Sequence, residues 1–396
     1  MRILQTNFHY GWGGQPAAVL MMSRGLADRG HRVVIAAPRG SLLAQRSRQA
    51  GLLTFEACAF LKTKHLASAL RDAARLSRHL RAERYDVIHA HGSQDLWTCV
   101  SARALARVPV PLVFTRHNTK RVRGHLANRW LYRRQVDHLV VANASVLERY
   151  ARILECGALR RERVTVVDMA YRPERFHLGV DGSRVRAELG LGPDVPLVGV
   201  IGRLVHDKAQ DDFLRAAKRV LDRRPEARFI LTGTGPQERE FRSLAASLGL
   251  SDAVRFLGFR NDVPEIIAAL TVSVLPSIDC DASSTVLKES LACGVPAVAT
   301  AIGGAVEILR PGETGLVVPP RDPGRLAEAI LSLLDDPGRA REMGRRGSRD
   351  VARRFTPERL TSNILKVYES VVGRRAGRAA RTATVAAGAD RIAPRP

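Results

Sequence analysis

Residues 2–37 read RILQTNFHYGWGGQPAAVLMMSRGLADRGHRVVIAA, and this stretch decides the fold class. RILQTNF predicts a strand, YGWGGQP a glycine-rich loop, and AAVLMMSRGLADRG a helix that ends at Gly30. HRVVIAAP then predicts a second strand. A strand, a helix and another strand in this order predict parallel strands joined by a crossover helix, which is the repeating unit of α/β proteins.

The same alternation continues along the chain. DVIHAHG, VPLVFTRHN, DHLVVANAS and VTVVDMA predict further strands, and a second series begins at PLVGVIGRL and continues through RFILTGTGP, AVRFLGF, VSVLPS and PAVAT. Two such series predict two doubly wound domains that leave a cleft between them. We expect a first domain at 1–178, a second at 179–355, a helix at 356–373 that crosses back to the first domain, and a disordered basic tail at 374–396.

The composition of the 396 residues fits two globular domains, because 45% of them are hydrophobic. The sequence has no run near the ~18 apolar residues that a membrane-spanning helix needs. The first residues also lack the pattern of a signal peptide, so we expect a cytoplasmic protein. The five cysteines are scattered and form no CxxC or Cys/His cluster, so we expect neither a disulfide framework nor a metal site.

The net charge of +24 is unevenly distributed along the chain. Residues 1–178 carry +18 of it and the remainder +6, of which the tail 374–396 supplies +5. Such asymmetry predicts an anionic partner for the first domain: nucleic acid, an anionic membrane surface or a phosphorylated substrate. No recognised nucleic-acid-binding module appears, so we expect no nucleic acid among the partners.

Two stretches concentrate the basic residues of the first half. The spacing of Leu66, Leu70, Ala73, Leu76 and Leu80 predicts an amphipathic helix over 66–85 whose arginines lie off the apolar stripe. Such a helix packs with a solvated basic face or lies on a membrane. The second stretch, 116–134, has seven basic residues and no acidic one: Arg116, Lys120, Arg121, Arg123, Arg129, Arg133 and Arg134. Trp130 and Tyr132 lie among them, and we expect both to enter the headgroup zone of a membrane.

The loops after the second-half strands carry residues suited to a diphosphate. Gly202 is followed by Arg203 and Lys208, and two cations on one loop can hold phosphate oxygens. Gly233 and Gly235 in GTGP predict a second loop of close backbone approach.

A third element of the second half follows the strand that ends near Pro276. A helix predicted to begin near Thr285, after Ser284, offers backbone N–H groups to an anion. Asp281 and Glu289 place a carboxylate at each end of this element. Each has an ordinary interpretation too, as an N-cap acid and a surface helical glutamate.

Taken together, these loops resemble the nucleotide-binding domain of family 4 retaining glycosyltransferases, which adopt the GT-B fold. The family pattern appears here as GRLVHDK, GTGP, D-x7-E into ESLACGVPAVAT, GGAVE and GETGLVVPP, in matching order and spacing. The first half is similar to the family's opening through GWGGQPAAVLMMSRGLADRGHRVVIAA, and FTRHN resembles the strand-end histidine motif of glycogen synthases. The segment FTPERLTSNILKVYESVV looks like the helix that crosses back to the first domain. The resemblance covers about residues 1–372.

The resemblance implies a metal-independent enzyme without a cofactor that transfers a sugar from a nucleotide-diphosphate sugar with retention of configuration. It implies catalytic roles for His117, Asp281, Arg203, Lys208 and, less directly, His91, although His89 on the same strand face is an alternative to His91. In the family the first acid faces the donor sugar, and Asp281 is one methylene shorter than the usual glutamate. Glu289 is expected to bind the ribose. The implied nucleotide-binding residues are Gly13, Gly14, Gly202, Arg203, Lys208, Gly233, Gly235, Arg260, Ser284, Thr285 and Glu289.

The basic first domain points to a lipid-linked or anionic saccharide acceptor at the inner face of the cytoplasmic membrane. That acceptor would place the protein in the synthesis of cell-envelope polysaccharide or lipopolysaccharide. Two alternatives remain open: a non-catalytic sugar-nucleotide-binding partner of a polysaccharide machine, and a nucleotide-sugar epimerase of the same fold. A third candidate, a phosphorylase of this fold, is disfavoured because such enzymes need a pyridoxal lysine and a much longer chain.

Overall fold

The computed structural model describes residues 1–61, 66–117, 120–279 and 284–389, with side chains as far as Arg375. The chain divides into two compact units. The first unit contains residues 1–142, 147–167 and the C-terminal segment from Pro357, and the second contains residues 143–146 and 168–356. The division near residue 167 lies before the predicted boundary at 178.

Thirteen strands form in the described part of the chain. They are β1 Arg2–Thr6, β2 Arg32–Ala36, β3 Leu53–Phe55, β4 Val87–Ala90, β5 Leu112–Arg116, β6 His138–Val141, β7 Val164–Val166, β8 Leu197–Ile201, β9 Arg228–Thr232, β10 Val254–Gly258, β11 Val272–Leu275, β12 Ala297–Thr300 and β13 Leu316–Val318.

Sixteen α-helices accompany these strands in the same part of the chain. They are α1 Gly14–Ala27, α2 Leu42–Gln49, α3 Leu66–Ala82, α4 Ser93–Ala106, α5 Leu126–Trp130, α6 Ala144–Glu148, α7 Ala151–Glu155, α8 Ser183–Glu188, α9 Gln210–Leu221, α10 Glu238–Ser247, α11 Val263–Ala269, α12 Thr285–Ala292, α13 Ala305–Ile308, α14 Pro323–Leu334, α15 Pro337–Arg354 and α16 Pro357–Ala389. Short 3₁₀ or π turns occupy 131–135, 161–163 and 206–208.

Each unit contains one parallel sheet, as the alternating pattern predicts. The first has the order β3-β2-β1-β4-β5-β6-β7 and the second β10-β9-β8-β11-β12-β13. The order reverses between β1 and β4 and between β8 and β11, so the fold class of doubly wound α/β is confirmed in both units. Ligands of such sheets bind outside the carboxyl ends of the strands at these reversal points.

The second sheet is buried on both faces, as parallel sheets are. Val198 and Val200 of β8 point into one core cluster with Phe213 of α9. Leu197 and Ile201 of the same strand point into the opposite cluster, which α11 and α12 cover. The alternation along one strand therefore supplies both layers of the unit's core.

Helix α16 belongs to the first unit, which agrees with the predicted helix that returns to the first domain. Its Tyr368 is fully buried and bonds to Gln5 Nε2 at 2.9 Å. The helix continues to Ala389, past the predicted end at residue 373. Residues 374–389, which were predicted to be disordered, therefore belong to this helix. Within this part of the helix, Arg375 binds Asp137 of the first unit at 3.2 Å. Residues 390–396 lie outside the described part.

The contact between α1 and α16 is close at Gly25. A Cβ placed there would lie 2.2 Å from Thr361 Oγ1 and 3.2 Å from Thr361 Cβ. Gly25→Ala should therefore destabilise the protein by about 1–2 kcal/mol, because the overpacking cost exceeds the gain in helix propensity. Urea unfolding followed by circular dichroism measures the change.

Gly373→Ala is the matched control on α16. A Cβ at Gly373 meets no atom of the described chain within 4 Å. This substitution should raise the free energy of unfolding by up to about 1 kcal/mol, since alanine is the better helix former. A Gly25→Ala protein as stable as the Gly373→Ala protein would contradict the close packing of the two helices.

Candidate active site

The loop after β8 carries the two predicted phosphate-binding cations. Arg203 is exposed and Lys208 is half-buried. Lys208 Nζ lies 3.5 Å from Ser277 Oγ, and the backbone N–H of Ile278 donates to the carbonyl of Asp207 at 3.0 Å. Since Ser277 follows β11, the structure brings Lys208 to the reversal point of the second sheet, as predicted for a ligand-binding loop.

The glycines of GTGP face the neighbouring loop. A Cβ at Gly233 would lie 2.1 Å from the carbonyl oxygen of Gly202, and one at Gly235 would lie 2.1 Å from that of Leu204. Gly233 also has a φ of 131°, which side chains other than glycine rarely adopt. These glycines allow the β8 and β9 loops to pack together. The close backbone approach that the sequence predicts at GTGP is therefore made, in this structure, to the loop after β8.

Helix α12 begins at Thr285, which confirms the predicted start of this element. Ser284 precedes it in the left-handed region with a φ of 41° and is almost completely buried. Asp281, the predicted first acid, lies outside the described residues together with Cys280, Ala282 and Ser283.

Glu289 lies on α12 with 6% of its surface exposed. Its Oε1 lies 3.5 Å from Arg172 Nη2. Burial raises the pKa of Glu289 to about 7, although Arg172 and Arg175 act in the opposite direction. Arg172 was not among the predicted site residues, because YRPERF has the composition of a linker, and no periodic pattern places it beside α12.

Arg260 does not lie at an open anion-binding loop. Its nitrogens bind Glu188 Oε2 at 2.8 Å and both carboxylate oxygens of Asp262 at 2.8 and 2.7 Å. These two acids raise the pKa of Arg260. The two carboxylates neutralise this guanidinium and occupy donors on all three of its nitrogens, so the arrangement does not support the predicted nucleotide contact.

The first unit brings together the predicted histidines. His91 follows β4 and His117 follows β5, and His91 Nδ1 lies 3.0 Å from His117 Nε2. Burial lowers the pKa of His117 to about 3 and that of His91 well below its ordinary value. Both rings are therefore neutral at pH 7. His89 is fully buried on the same face, with its ring centroid 4.1 Å from that of His91.

Gly13 and Gly14 lie at the start of α1, on the loop that follows β1. Both are exposed, and a Cβ at either would meet no described atom within 4 Å. The fold alone does not require glycine here. The loop also lies at the reversal point of the first sheet, next to the end of β4.

A cavity of about 450 Å³ opens at the carboxyl ends of β2 and β3. Arg39, Arg75 and Tyr10 are among its lining residues. Glu56 also lines it but is paired with Arg48. The lining loop that continues from Glu56 through Ala59 is held by buried Asp72, whose Oδ2 accepts from the backbone N–H of Phe60 at 2.8 Å. The walls of this cavity are therefore ordered and carry a positive charge.

The basic segment 116–134 contains both buried and exposed residues. Arg116 is buried, and Tyr132, with 3% exposure, is buried too, so the expectation that Tyr132 enters a membrane is wrong. Tyr132 lies edge-on to Tyr150 with ring centroids 5.4 Å apart. The other six basic residues are exposed, and so are Leu126 at 82% and Trp130 at 46%.

The predicted helix at 66–85 forms as α3, at Leu66–Ala82. Ala73, Leu76 and Leu80 are buried as expected, but Leu66 and Leu70 are exposed in its first turns. None of the helices in the described part of the chain has the length and hydropathy needed to cross a bilayer. Among the described residues, no His, Cys, Asp and Glu side chains gather in a group of three that suits a metal ion.

Comparison with known proteins gives matches along most of the chain. The profile described as Glycosyltransferase Family 4 matches residues 12–175, and that of Glycosyl transferases group 1 matches residues 182–350. The D-inositol 3-phosphate glycosyltransferase of Acidothermus cellulolyticus is 33% identical over 80% of this chain and 72% of its own length.

Two other similar proteins widen this comparison. The lipopolysaccharide core biosynthesis mannosyltransferase LpsB of Rhizobium meliloti is 28% identical over 76% of this chain and 84% of its own. The structure of Anabaena HepE in complex with UDP-glucose superposes with a TM-score of 0.79 at 22% identity, and covers 93% of this chain and 100% of that one. At that identity the superposition shows a shared fold.

The resemblance implies that Glu289 binds the ribose of a nucleotide sugar, and on that expectation the binding should depend on pH. Its raised pKa means that the carboxyl is protonated below about pH 7, and the neutral acid is the weaker acceptor for ribose hydroxyls. The dissociation constant should therefore rise about tenfold from pH 8 to pH 6. Isothermal titration with a nucleotide sugar is suitable, because its diphosphate does not titrate in this window.

Two variants test the assignment of this pH dependence. Glu289→Gln should bind weakly at every pH in the window, and Arg172→Gln should move the midpoint to higher pH, since it removes the cation beside the carboxylate. Glu328→Gln, an exposed acid of α14, is the control. A pH dependence that persists in Glu289→Gln would contradict the prediction.

Proposed function

Because the chain belongs to glycosyltransferase family 4, with its GT-B fold, we propose that it transfers a sugar from a nucleotide-diphosphate sugar to a lipid-linked or anionic saccharide acceptor. The proposal includes retention of the anomeric configuration and catalysis without a metal ion or other cofactor. The observation that carries it is that Arg203, Lys208 and the start of α12 all follow β8 and β11, where the strand order of the second sheet reverses.

The second unit binds the donor in this proposal. When the bond between sugar and diphosphate breaks, negative charge grows on the leaving group. Arg203 and Lys208 are the cations that neutralise this charge, which is the task that a metal ion performs in other transferases. Glu289 accepts hydrogen bonds from the ribose, and Arg172 favours the ionised form of that carboxyl.

The chemical step follows from this charge balance. The sugar passes through an oxocarbenium-like state, and the acceptor hydroxyl attacks from the face that the diphosphate leaves. A bond from the anomeric carbon to the acceptor oxygen forms as the bond to the phosphate oxygen breaks, and the departing diphosphate takes the hydroxyl proton. Both groups must be held in reacting geometry, and His117 contacts the donor sugar in this scheme.

The first unit binds an anionic acceptor in this proposal. Residues 1–178 carry +18 of the net charge, and Arg39 and Arg75 line a cavity of about 450 Å³ at the carboxyl ends of its strands. This cavity is large enough to hold a sugar that carries a phosphate or carboxylate. LpsB, a relative of similar length, is named for lipopolysaccharide core biosynthesis, which agrees with a role in cell-envelope polysaccharide.

The first unit also has an exposed group of basic and apolar side chains that suits a membrane surface. We define the basic surface as Lys120, Arg121, Arg123, Arg129, Arg133 and Arg134 with the exposed apolar side chains of Leu126 and Trp130. Cations attract the anionic headgroups of the inner leaflet, and the two apolar side chains can enter the interface. We propose that the protein binds peripherally there, where a lipid-linked acceptor is found.

Loss of either phosphate-binding cation should slow transfer. Arg203→Ala and Lys208→Met should each lower kcat by about 10²-fold or more, by analogy with loss of one transition-state donor. The melting temperature of the Arg203→Ala variant should stay within about 2 °C, because Arg203 is exposed. Transfer and donor hydrolysis are measured across a panel of nucleotide sugars.

The control for charge alone is Arg215→Ala, an exposed arginine of α9. It should retain full activity. Near-normal rates in Arg203→Ala would contradict the proposed diphosphate site. A wild-type protein that binds a nucleotide sugar but neither transfers nor hydrolyses it would favour the non-catalytic alternative.

The basic surface should bind anionic vesicles. Sedimentation with vesicles that contain phosphatidylglycerol should pull down the protein at low salt, and binding should fall as salt rises. Replacing Arg121, Arg123, Arg133 and Arg134 with Gln should weaken binding by about 10²–10³-fold, at about 1 kcal/mol for each cation near the surface.

An equal loss of charge elsewhere separates a local surface from net charge. The control replaces Arg339, Arg341, Arg345 and Arg349, four exposed arginines of α15 in the second unit, with Gln. It should bind like the wild type. Equal weakening in both variants would show that net charge alone drives binding, and absence of binding at low salt would exclude the membrane part of the proposal.

A further inference from the structure

A continuous chain of hydrogen bonds connects His117 to helix α16 inside the first unit. It runs from Thr115 through His89, Tyr368, Gln5 and His91 to His117, with donor–acceptor distances of 2.6, 2.7, 2.9, 2.7 and 3.0 Å in that order. Its five members other than His117 are at most 1% exposed. The proposed function uses His117 but assigns no role to the residues behind it.

The three histidines of this chain are neutral at pH 7. Burial lowers the pKa of His117 to about 3 and the pKa values of His89 and His91 well below the ordinary value, and the rings also disfavour charge on one another. A neutral imidazole has one protonated and one unprotonated nitrogen. Each ring therefore donates one hydrogen bond and accepts one, so the part of the chain from Gln5 through His91 to His117 must run in a single direction.

Two directions are compatible with the chain in isolation, and the amide of Gln5 separates them. If Gln5 Oε1 faces His91, then His91 donates from Nε2 to it and accepts at Nδ1 from His117 Nε2–H. If the amide is turned over, every donor and acceptor between Gln5 and His117 is exchanged. The direction thus decides which nitrogen of His117 carries the proton.

Met22 removes this ambiguity. Its buried Sδ lies 3.7 Å from Gln5 Nε2 and 4.0 Å from the hydroxyl of Tyr368. A thioether sulfur can accept a hydrogen bond but cannot donate one. The amide NH₂ of Gln5 therefore faces Met22 and Tyr368, because the opposite orientation would put Oε1 against another acceptor. Gln5 Oε1 is left to accept from His91.

We propose that Met22, Gln5 and Tyr368 are positioning residues that hold His117 in the tautomer protonated at Nε2. Its Nδ1 is then the nitrogen that accepts a hydrogen bond from the reacting groups. This inference rests on the proposed role of His117 in sugar transfer. It goes beyond that role because it states which residues determine the tautomer of His117: the buried amide of Gln5, the sulfur of Met22 and the hydroxyl of Tyr368 on α16.

Histidine tautomers can be measured without any substrate. In protein labelled with ¹⁵N-histidine, two-bond ¹H–¹⁵N spectra distinguish a protonated from an unprotonated ring nitrogen. The signal that is missing from the spectrum of the His117→Gln variant is the signal of His117. At pH 7 the wild-type signal of His117 should show protonation at Nε2 alone. Protonation at Nδ1, or a mixture of the two forms, would overturn the proposal.

The variant Met22→Leu/Tyr368→Phe removes both acceptors of the Gln5 amide NH₂ while nearly conserving volume. The second tautomer of His117 should then become populated, because neither amide orientation is fully satisfied. The kcat for transfer should fall by the same fraction as the Nε2–H population, with the KM for the donor unchanged. Tyr368→Phe alone provides the milder variant should the double one fold poorly, and should shift the tautomers in the same direction.

Tyr85→Phe is the matched control. Tyr85 is also buried in the first unit, and its hydroxyl lies 2.7 Å from a ring nitrogen of His79, so the substitution removes the same kind of bond elsewhere. It should leave the His117 signal and kcat unchanged. Unaltered tautomers in the double variant, or altered tautomers with wild-type kcat, would overturn the proposal. A wild-type protein that transfers no sugar would contradict the proposed function, while the tautomer spectra would still decide the direction of the chain.

Discussion

The chemistry of this protein depends on one geometric constraint: all strands of a doubly wound sheet end at the same edge. A strand buried on both faces has no room for charged groups along its length, so polar side chains collect just beyond its carboxyl end. His91 and His117 follow β4 and β5, and Lys208 and Ser277 lie where β8 and β11 end. Residues far apart in sequence thereby become neighbours within each unit.

The two units use burial in different ways. In the first, burial keeps imidazoles neutral, and in the second it raises the pKa of Glu289 to about 7 beside Arg172. A neutral ring can only exchange hydrogen bonds, whereas a half-ionised carboxyl can gain charge when a ligand brings donors to it. The first unit therefore supplies fixed hydrogen-bond geometry, and the second supplies adjustable charge.

Much of the fold follows from sequence because the strong signals are local. Six strands of the first sheet and five of the second coincide with apolar runs bounded by glycine, proline or a polar turn. Strands β3 and β13 were missed because each has only three residues; β7 is equally short, but it lies in the longer β-branched run VTVV. The start of α12 at Thr285 was predictable from the small-residue loop before it.

The candidate site was less predictable because partners of buried groups lie far away in sequence. No local pattern connects Arg172 to Glu289, or places two acids on Arg260. Tyr132 looks like a surface aromatic among arginines, but it packs on Tyr150. Exposure of Leu126 and burial of Tyr132, six residues apart, depend on which neighbours the fold supplies.

The bond between Gln5 and Tyr368 joins positions separated by 363 residues. During synthesis, residues 168–356 of the second unit are translated before α16, which begins at Pro357. The first unit, although most of its residues are made earlier, therefore has an unfilled place beside β1 until α16 has emerged. The centre around His117 is therefore completed only after residues 168–356 of the second unit have been translated, although His117 itself precedes them in the chain.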